Sequence, residues 1–246
     1  MKLLIFDIYR VRNAFLKELP SLKEIYKPDF IIVNVDNISS RPIEKHILEL
    51  ERSVDVMTSD HFFDNLEEIE DYISKESSPL IRPANYYESS EYKIPVYKIF
   101  KKNDKKLLVI HLLSSNMRDS VYNPFLRLGE ILSQNEEKVD GIVVDFHKEY
   151  TSEIYMMLYD GQISFCYTHT HIQTNDEIIL DNTLICDVMS SLNSVIADFN
   201  SVKKRFITGI NKKIEQSLDK RYVVNVFVEI ENMKCLKIEK IKKIKR

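Results

Sequence analysis

Residues 30–37 read FIIVNVDN, an apolar run rich in β-branched and aromatic side chains that meets an acid and an amide at its end. A run of this length and composition reads as a buried strand, and Asp36-Asn37 as the point where the chain leaves the sheet. Just before it, residues 11–25 carry a helical pattern that stops at Tyr26-Lys27-Pro28, where proline ends the helix. Similar apolar runs recur along the chain: LLIF (3–6), VDVMT (54–58), KLLVIHLL (106–113), GIVVDF (141–146), ISFCY (163–167) and TLICDV (183–188). Helical patterns at 42–52, 64–75 and 124–137 lie between several of them. The last opens with Asn123-Pro124, an N-cap followed by proline at the first helical position. Strands alternating with helices predict an α/β fold. Residues 221–230 and 234–242 instead read as two strands joined at Glu231-Asn232-Met233, a hairpin that makes a mixed sheet the expectation. No repeat, low-complexity stretch or linker interrupts the pattern, and residues 1–246 are read as a single domain.

Composition narrows the function classes. Apolar residues make up 44% of the 246, enough for a sizeable core. The 35 basic and 38 acidic side chains leave a net charge of −3, which removes the general electrostatic case for nucleic-acid binding. No window approaches the ~20 apolar residues of a membrane span, and MKLLIF meets Asp7 too soon for a signal-peptide core. Cys166, Cys186 and Cys235 are an odd set with no CxxC. They read as reduced thiols of a cytoplasmic protein, not as a disulfide scaffold or zinc ribbon. The chain has 4 glycines, where average usage of ~7% would supply about 17. Loops that need positive φ or a close backbone approach must therefore use other residues. A Walker loop and a dinucleotide fingerprint are both absent.

In open α/β sheets ligands bind beyond the carboxyl ends of the strands, so the residues after each apolar run are the candidates. LLIF leads to Asp7, FIIVNV to Asp36-Asn37, VDVMT through Ser59 to Asp60-His61, GIVVDF to His147, and ISFCY through Thr168 to His169-Thr170-His171. A single Asp after a strand is ordinarily a turn or cap, and a lone His ordinarily a packed or exposed side chain. The coincidence of five such strand ends favours a shared site. His169 and His171 also point the same way if their segment is extended. Carboxylates and imidazoles together suit two Mn, Fe or Zn ions. His46 and His111 read as structural. KIEKIKKIKR (237–246) reads as a solvated strand edge rather than a nucleic-acid contact.

Four segments carry a resemblance. LKELPSLKEIYKPDFIIVNVDN (16–37), LIRPANYY (80–87), VVDFHKEYTSE (143–153) and YTHTHIQT (167–174) resemble the YmdB-like metallophosphoesterases, described as 2′,3′-cyclic-nucleotide phosphodiesterases. The resemblance covers nearly the whole chain. It implies a metallophosphoesterase-like α/β sandwich with mixed β-sheets flanked by helices, two divalent metal ions, and a small phosphoester or cyclic nucleotide as substrate. Carried over residue by residue, it places Asp7 and His171 on one metal, His147, His169 and Asp60 on the other, and Asp36 between them. Asn37 falls on the family's phosphate-contacting Asn and His61 on its catalytic His, a general acid for the leaving alkoxide. Asp64 either orients His61 or caps a helix. Arg82 either binds phosphate or makes a surface salt bridge. Asp145 either supports the site from behind or makes a turn. Glu149 and Ser152 shape their loop.

The departures have a chemical direction. The family's bridging Glu is Asp36 here, its neutral Asn ligand is Asp60, and the glycines around its first and second strand ends are replaced, as in FDIYRVR and Ile38-Ser39-Ser40. The implied ligand set carries three carboxylates (Asp7, Asp36, Asp60) where the family carries two. That favours tighter cation retention, weaker Lewis acidity and less attraction for phosphate. Three functions compete on these residues: a metal-dependent phosphodiesterase, which the retained ligand types place first, a catalytically degenerate relative that binds metal or nucleotide as a regulatory module, and a structural oligomerisation module without metal. Homo-oligomerisation is left open by the sequence.

Overall fold

The computed structural model describes residues 1–9, 12–37, 43–60, 70–73, 75, 77–86, 96–115, 121–147, 162–168, 178–180, 183–187 and 222–244. Two six-stranded sheets dominate it. The first contains β1 (Lys2–Tyr9), β2 (Phe30–Asn37), β3 (Val56–Thr58), β4 (Leu80–Ile81), β11 (Tyr222–Glu231) and β12 (Lys234–Ile244), in the order β12-β11-β1-β2-β3-β4. The second contains β5 (Tyr97–Lys102), β6 (Lys105–Leu113), β7 (Gly141–His147), β8 (Phe165–Thr168), β9 (Ile178–Leu180) and β10 (Thr183–Asp187), in the order β5-β6-β7-β8-β10-β9. Strands β1 to β4 run parallel, as do β6, β7, β8 and β10, while β11, β12, β5 and β9 pair antiparallel. Both sheets are mixed, as the C-terminal hairpin suggested for one of them.

Period-2 alternation builds the layers. On one face of the first sheet, Leu4, Phe6 and Ile8 meet Phe15, Leu19 and Leu22 of α1 (Arg12–Tyr26) and Ile47 and Leu50 of α2 (Ile43–Glu51). The Phe6 and Phe15 rings meet edge-on with centroids 4.8 Å apart. The other face, with Leu3, Ile5, Phe30, Ile32 and Val56, packs directly on Leu107, Val109, Val143 and Phe165 of the second sheet. That sheet's outer face, with Leu108, Ile110, Val144 and Phe146, takes Leu128 and Ile131 of α4 (Pro124–Gln134). Strands buried on both faces read as unbroken apolar runs, which is why they were conspicuous in the sequence.

Several boundaries differ from expectation. Only Val56–Thr58 of VDVMT is strand. Of the helix expected at 64–75, the described part is α3 (Glu70–Ile73). Asn123 caps α4 as expected, its Oδ1 accepting from the Phe125 and Leu126 amides. The helix stops at Gln134 because Asn135 turns to an extended conformation. Short β4 and β9 and the half-exposed β5 went unrecognised, having no long apolar run to announce them. In a chain this poor in glycine, two two-residue hairpin turns among the described residues rest on other residues at positive φ: Asn232 (49°) with Met233 (67°), and Asn103 (51°) with Asp104 (60°). Asn and Asp tolerate this conformation better than most side chains.

The Asn103-Asp104 hairpin also ties the sheets together. Lys102 and Lys105 reach Asp55 and Asp29 at 2.7 Å each, and those carboxylates accept from the Ile31 and Lys2 amides. Burial pushes the Asp29 carboxyl up, but the Lys105 ammonium and the Lys2 amide outweigh it and hold it below its ordinary value. A depressed carboxyl contributes stability above its unfolded pKa of ~3.9, and that contribution is lost as pH falls through the lower folded value. The stability gap between wild type and Asp29→Asn should therefore be constant above about pH 5 and shrink below about pH 4. Urea melts across that range check it; a gap independent of pH would contradict the assignment.

Candidate metal centre

The inner faces of the strands change character toward one edge of the sandwich. Strand β2 runs Phe30, Ile32, Asn34, Asp36; β3 runs Val56, Thr58 and then Asp60; β7 runs Val143, Asp145, His147. In each, hydrocarbon gives way to a polar residue and then to a candidate ligand at two-residue steps. Both sheets point these carboxyl ends the same way, so ligands from each meet across the gap.

Asp36 and Asp60 of the first sheet and His147 of the second place one ligand atom each within 4.8 Å of one another. His147 Nδ1 lies 3.3 Å from Asp60 Oδ2. The Asp36 carboxylate is held in place: Oδ1 accepts from the Ser59 hydroxyl and the Asp60 amide, both at 2.7 Å, and Oδ2 accepts from the Asn34 amide at 3.1 Å. Asp7 lies opposite Asn34 in the β1–β2 register and is fully buried. A register shift follows it, before Tyr9 pairs with Asn37. Asp7 lies outside the 4.8 Å group, near enough to Tyr167 for its charge to reach the phenol.

These residues fit a divalent cation. Asp7, Asp36 and Asp60 are 0%, 7% and 2% exposed. Desolvated carboxylates crowded together are costly unless a cation or protons neutralise them. Carboxylate oxygens beside an imidazole nitrogen are the donor set of a Mn, Fe or Zn site.

The other expected site residues divide as follows. Asn37 ends β2, and only its backbone is described. His61, Asp64, Glu149, Ser152, His169 and His171 lie outside the described residues. Asp145 makes no turn: it is mid-strand in β7, fully buried, and 3.1 Å from His111 Nδ1. Arg82 is 8% exposed, so a surface salt bridge does not describe it. It directly follows β4, whose Ile81 pairs with Thr58, and so stands beside Ser59 at the edge of the site. Ser59, Asn34 and Thr58 were missed. Asn34 and Thr58 are small polar residues within apolar runs and Ser59 directly follows one, so their only signal was polarity at or beside positions expected to be core.

Comparison with known proteins places the chain. The model of the YmdB-like protein family matches residues 3–241. The chain belongs to this family. It is 30% identical over 243 residues to the 2′,3′-cyclic-nucleotide 2′-phosphodiesterase of Bacillus subtilis, covering 94% of this chain and 91% of that protein. Among solved structures, a phosphatase from Mycoplasma pneumoniae superposes with a TM-score of 0.78 at 25% identity, covering 99% of this chain and 93% of that one. A Thermus thermophilus protein superposes at 0.79 with 22% identity over the full length of both chains. The fold is the metallophosphoesterase-like sandwich that the resemblance implied.

The Arg-Pro-Ala-Asn segment of this YmdB-like chain has a structural task that its sequence did not disclose. Asn85 is fully buried. Its amide donates to the Leu113 and Tyr122 carbonyls at 2.8 and 3.0 Å, and its Oδ1 accepts from the Leu113 amide at 3.0 Å. The Ala84 amide donates to the His111 carbonyl and the Ala84 carbonyl accepts from Arg127 Nε. The segment thereby fastens the end of β6 to the start of α4. Asn85→Ala should cost about 2–4 kcal/mol of stability, since it strands buried backbone groups without partners. Chemical denaturation measures this, and a loss under about 0.5 kcal/mol, as for an ordinary surface substitution, would refute the role.

Proposed function

We propose that this YmdB-like protein is a metal-dependent phosphodiesterase acting on a small phosphoester, with 2′,3′-cyclic nucleotides as the leading substrate class, at a centre of two divalent cations. The observation that carries the reading is the convergence of buried Asp36 and Asp60 with partly exposed His147, from opposite sheets, at the carboxyl edge. The Bacillus subtilis relative, named as a phosphodiesterase of this kind, supports the substrate class.

In this reading Asp36, Asp60 and His147 hold the cations together with Asp7, His169 and His171. Bound divalent cations supply a Lewis acid for phosphoryl oxygens and bring the pKa of water toward ~7. The chain's own residues do the rest. Ser59, Asn34 and the Asp60 amide keep the Asp36 carboxylate aimed into the site. Asn37 donates to a phosphoryl oxygen as charge builds there, and His61 gives a proton to the leaving alkoxide. Arg82, from the neighbouring strand end, is placed to pair with phosphate. No helix among the described residues is long and apolar enough to cross a membrane.

Alanine at Asp36 or His147 should lower hydrolysis of bis(p-nitrophenyl) phosphate and of 2′,3′-cyclic AMP in Mn²⁺ by at least about 100-fold, with the fold retained by circular dichroism. Equal rates for wild type and both variants would favour the degenerate, non-catalytic reading. Asp60→Asn tests the charge balance separately. Removing one carboxylate should raise the Mn²⁺ dissociation constant about tenfold or more while increasing kcat of the fully loaded protein. Calorimetric titration and saturating-metal kinetics read the two effects, and a fall in kcat at saturation would oppose the charge argument.

A further inference from the structure

One step beneath Asp36, Asp60 and His147, and level with the candidate ligand Asp7, lies a buried polar layer in which Thr58, His111, Asp145 and Tyr167 have no part in the proposed reaction. Asp7, Asn34 and Thr58 stand side by side in the register of β1, β2 and β3. His111, Asp145 and Tyr167 stand side by side in the register of β6, β7 and β8. All six are 0% exposed. One inner-face step, two residues and roughly 7 Å along the strand, separates Asn34 from Asp36, Thr58 from Asp60, and Asp145 from His147. One step in the opposite direction the layer is wholly apolar, with Ile5, Ile32, Val56, Val109, Val143 and Phe165.

The polar layer is bonded across the sandwich. The Thr58 hydroxyl of the first sheet donates a short hydrogen bond to Asp145 Oδ2 of the second. The Asn34 amide reaches the same oxygen at 3.3 Å, Thr58 Oγ1 at 3.3 Å and Asp36 Oδ2 at 3.1 Å. His111 Nδ1 lies 3.1 Å from Asp145 Oδ2. Burial, and then the Asp145 charge, raise the Tyr167 phenol well above its ordinary value, so it stays a neutral hydroxyl.

We propose that Thr58 and Asp145 are positioning residues. Their hydrogen bond across the sandwich sets the distance at which Asp36 and Asp60 of one sheet face His147 of the other. The inference rests on the metal reading of that site. A fold that needed only packing here could continue the hydrocarbon of the layer below, because buried polar pairs seldom stabilise more than apolar residues of the same volume. Apolar contacts between sheets are non-directional and tolerate small slides. Metal–ligand distances tolerate only about 0.2 Å. A directional bond one step from each ligand supplies the missing registration, and Asn34 relays it to Asp36.

The test uses the full-length protein and Mn²⁺. Thr58→Val keeps the side chain's shape and removes the donor, and Thr58→Ser restores it. Calorimetric titration with elemental analysis should show Mn²⁺ affinity weakened about 10–100-fold in Thr58→Val and within about threefold of wild type in Thr58→Ser. A folded Thr58→Val that binds Mn²⁺ as tightly as wild type, even with a lowered melting temperature, overturns the positioning role and leaves only a structural one. If Thr58→Val does not fold, Thr58→Ala, which removes the same donor without adding a methyl group to the gap, carries the same measurement. It is expected to weaken Mn²⁺ in the same range, and unchanged affinity overturns the proposal. Wild type that takes up no Mn²⁺ overturns the metal reading and this inference with it. Metal-loaded wild type beside an equally loaded Thr58→Val overturns this inference alone.

Discussion

Four aspartates, Asp7, Asp36, Asp60 and Asp145, point into the gap between two sheets, each no more than 7% exposed. Water cannot solvate them there, and like charges at close range repel strongly where the dielectric is low. Asp145 and Asp36 are provided for by neighbouring donors: Thr58 and Asn34 for the first, Ser59, Asn34 and the Asp60 amide for the second. Asp60 has His147 beside it. Hydrogen bonds spread this charge without cancelling it, and divalent cations are the compensation that the donor chemistry favours.

That arrangement depends on the scaffold beneath it. Helices on the outer faces and hydrocarbon between the sheets bury the central strands β1, β2, β6 and β7 on both sides, so a one-residue slip in any of them would exchange its whole inner set for its outer one. Register is therefore strongly specified, and with it the height at which each ligand emerges. The amino-terminal edge is tied by Lys102–Asp55 and Lys105–Asp29. The carboxyl edge is tied by Thr58–Asp145 and by Asn85, which binds β6 to α4. The apolar middle is thus held at both ends by directional contacts.

Much of this was legible in the sequence. The strands β1, β2, β6 and β7 announced themselves as continuous hydrophobic runs, and α4 by its Asn-Pro start. Asp36, Asp60 and His147 were readable as polar residues at the ends of such runs. The strands β4, β5 and β9 were not, because two or three residues, or a half-exposed face, carry no periodic signal. Asp145 was ambiguous between a turn and a support for the site, since one Asp near a strand end suits either. His111 looked like an ordinary core histidine, and only its register beside Asp145 gives it a neighbour with charge to stabilise.

The sequence by itself determined the fold class and which acids and imidazoles follow the strands, because burial on both faces and the residue types at strand ends are local, one-dimensional properties. Only the tertiary structure decided which donors face one another. The pairing of Thr58 with Asp145, and of Asp60 with His147, joins residues 87 positions apart across two different sheets. Such distances are fixed by how the sheets stack and by the side chains that lock them, and no spacing along the chain encodes that.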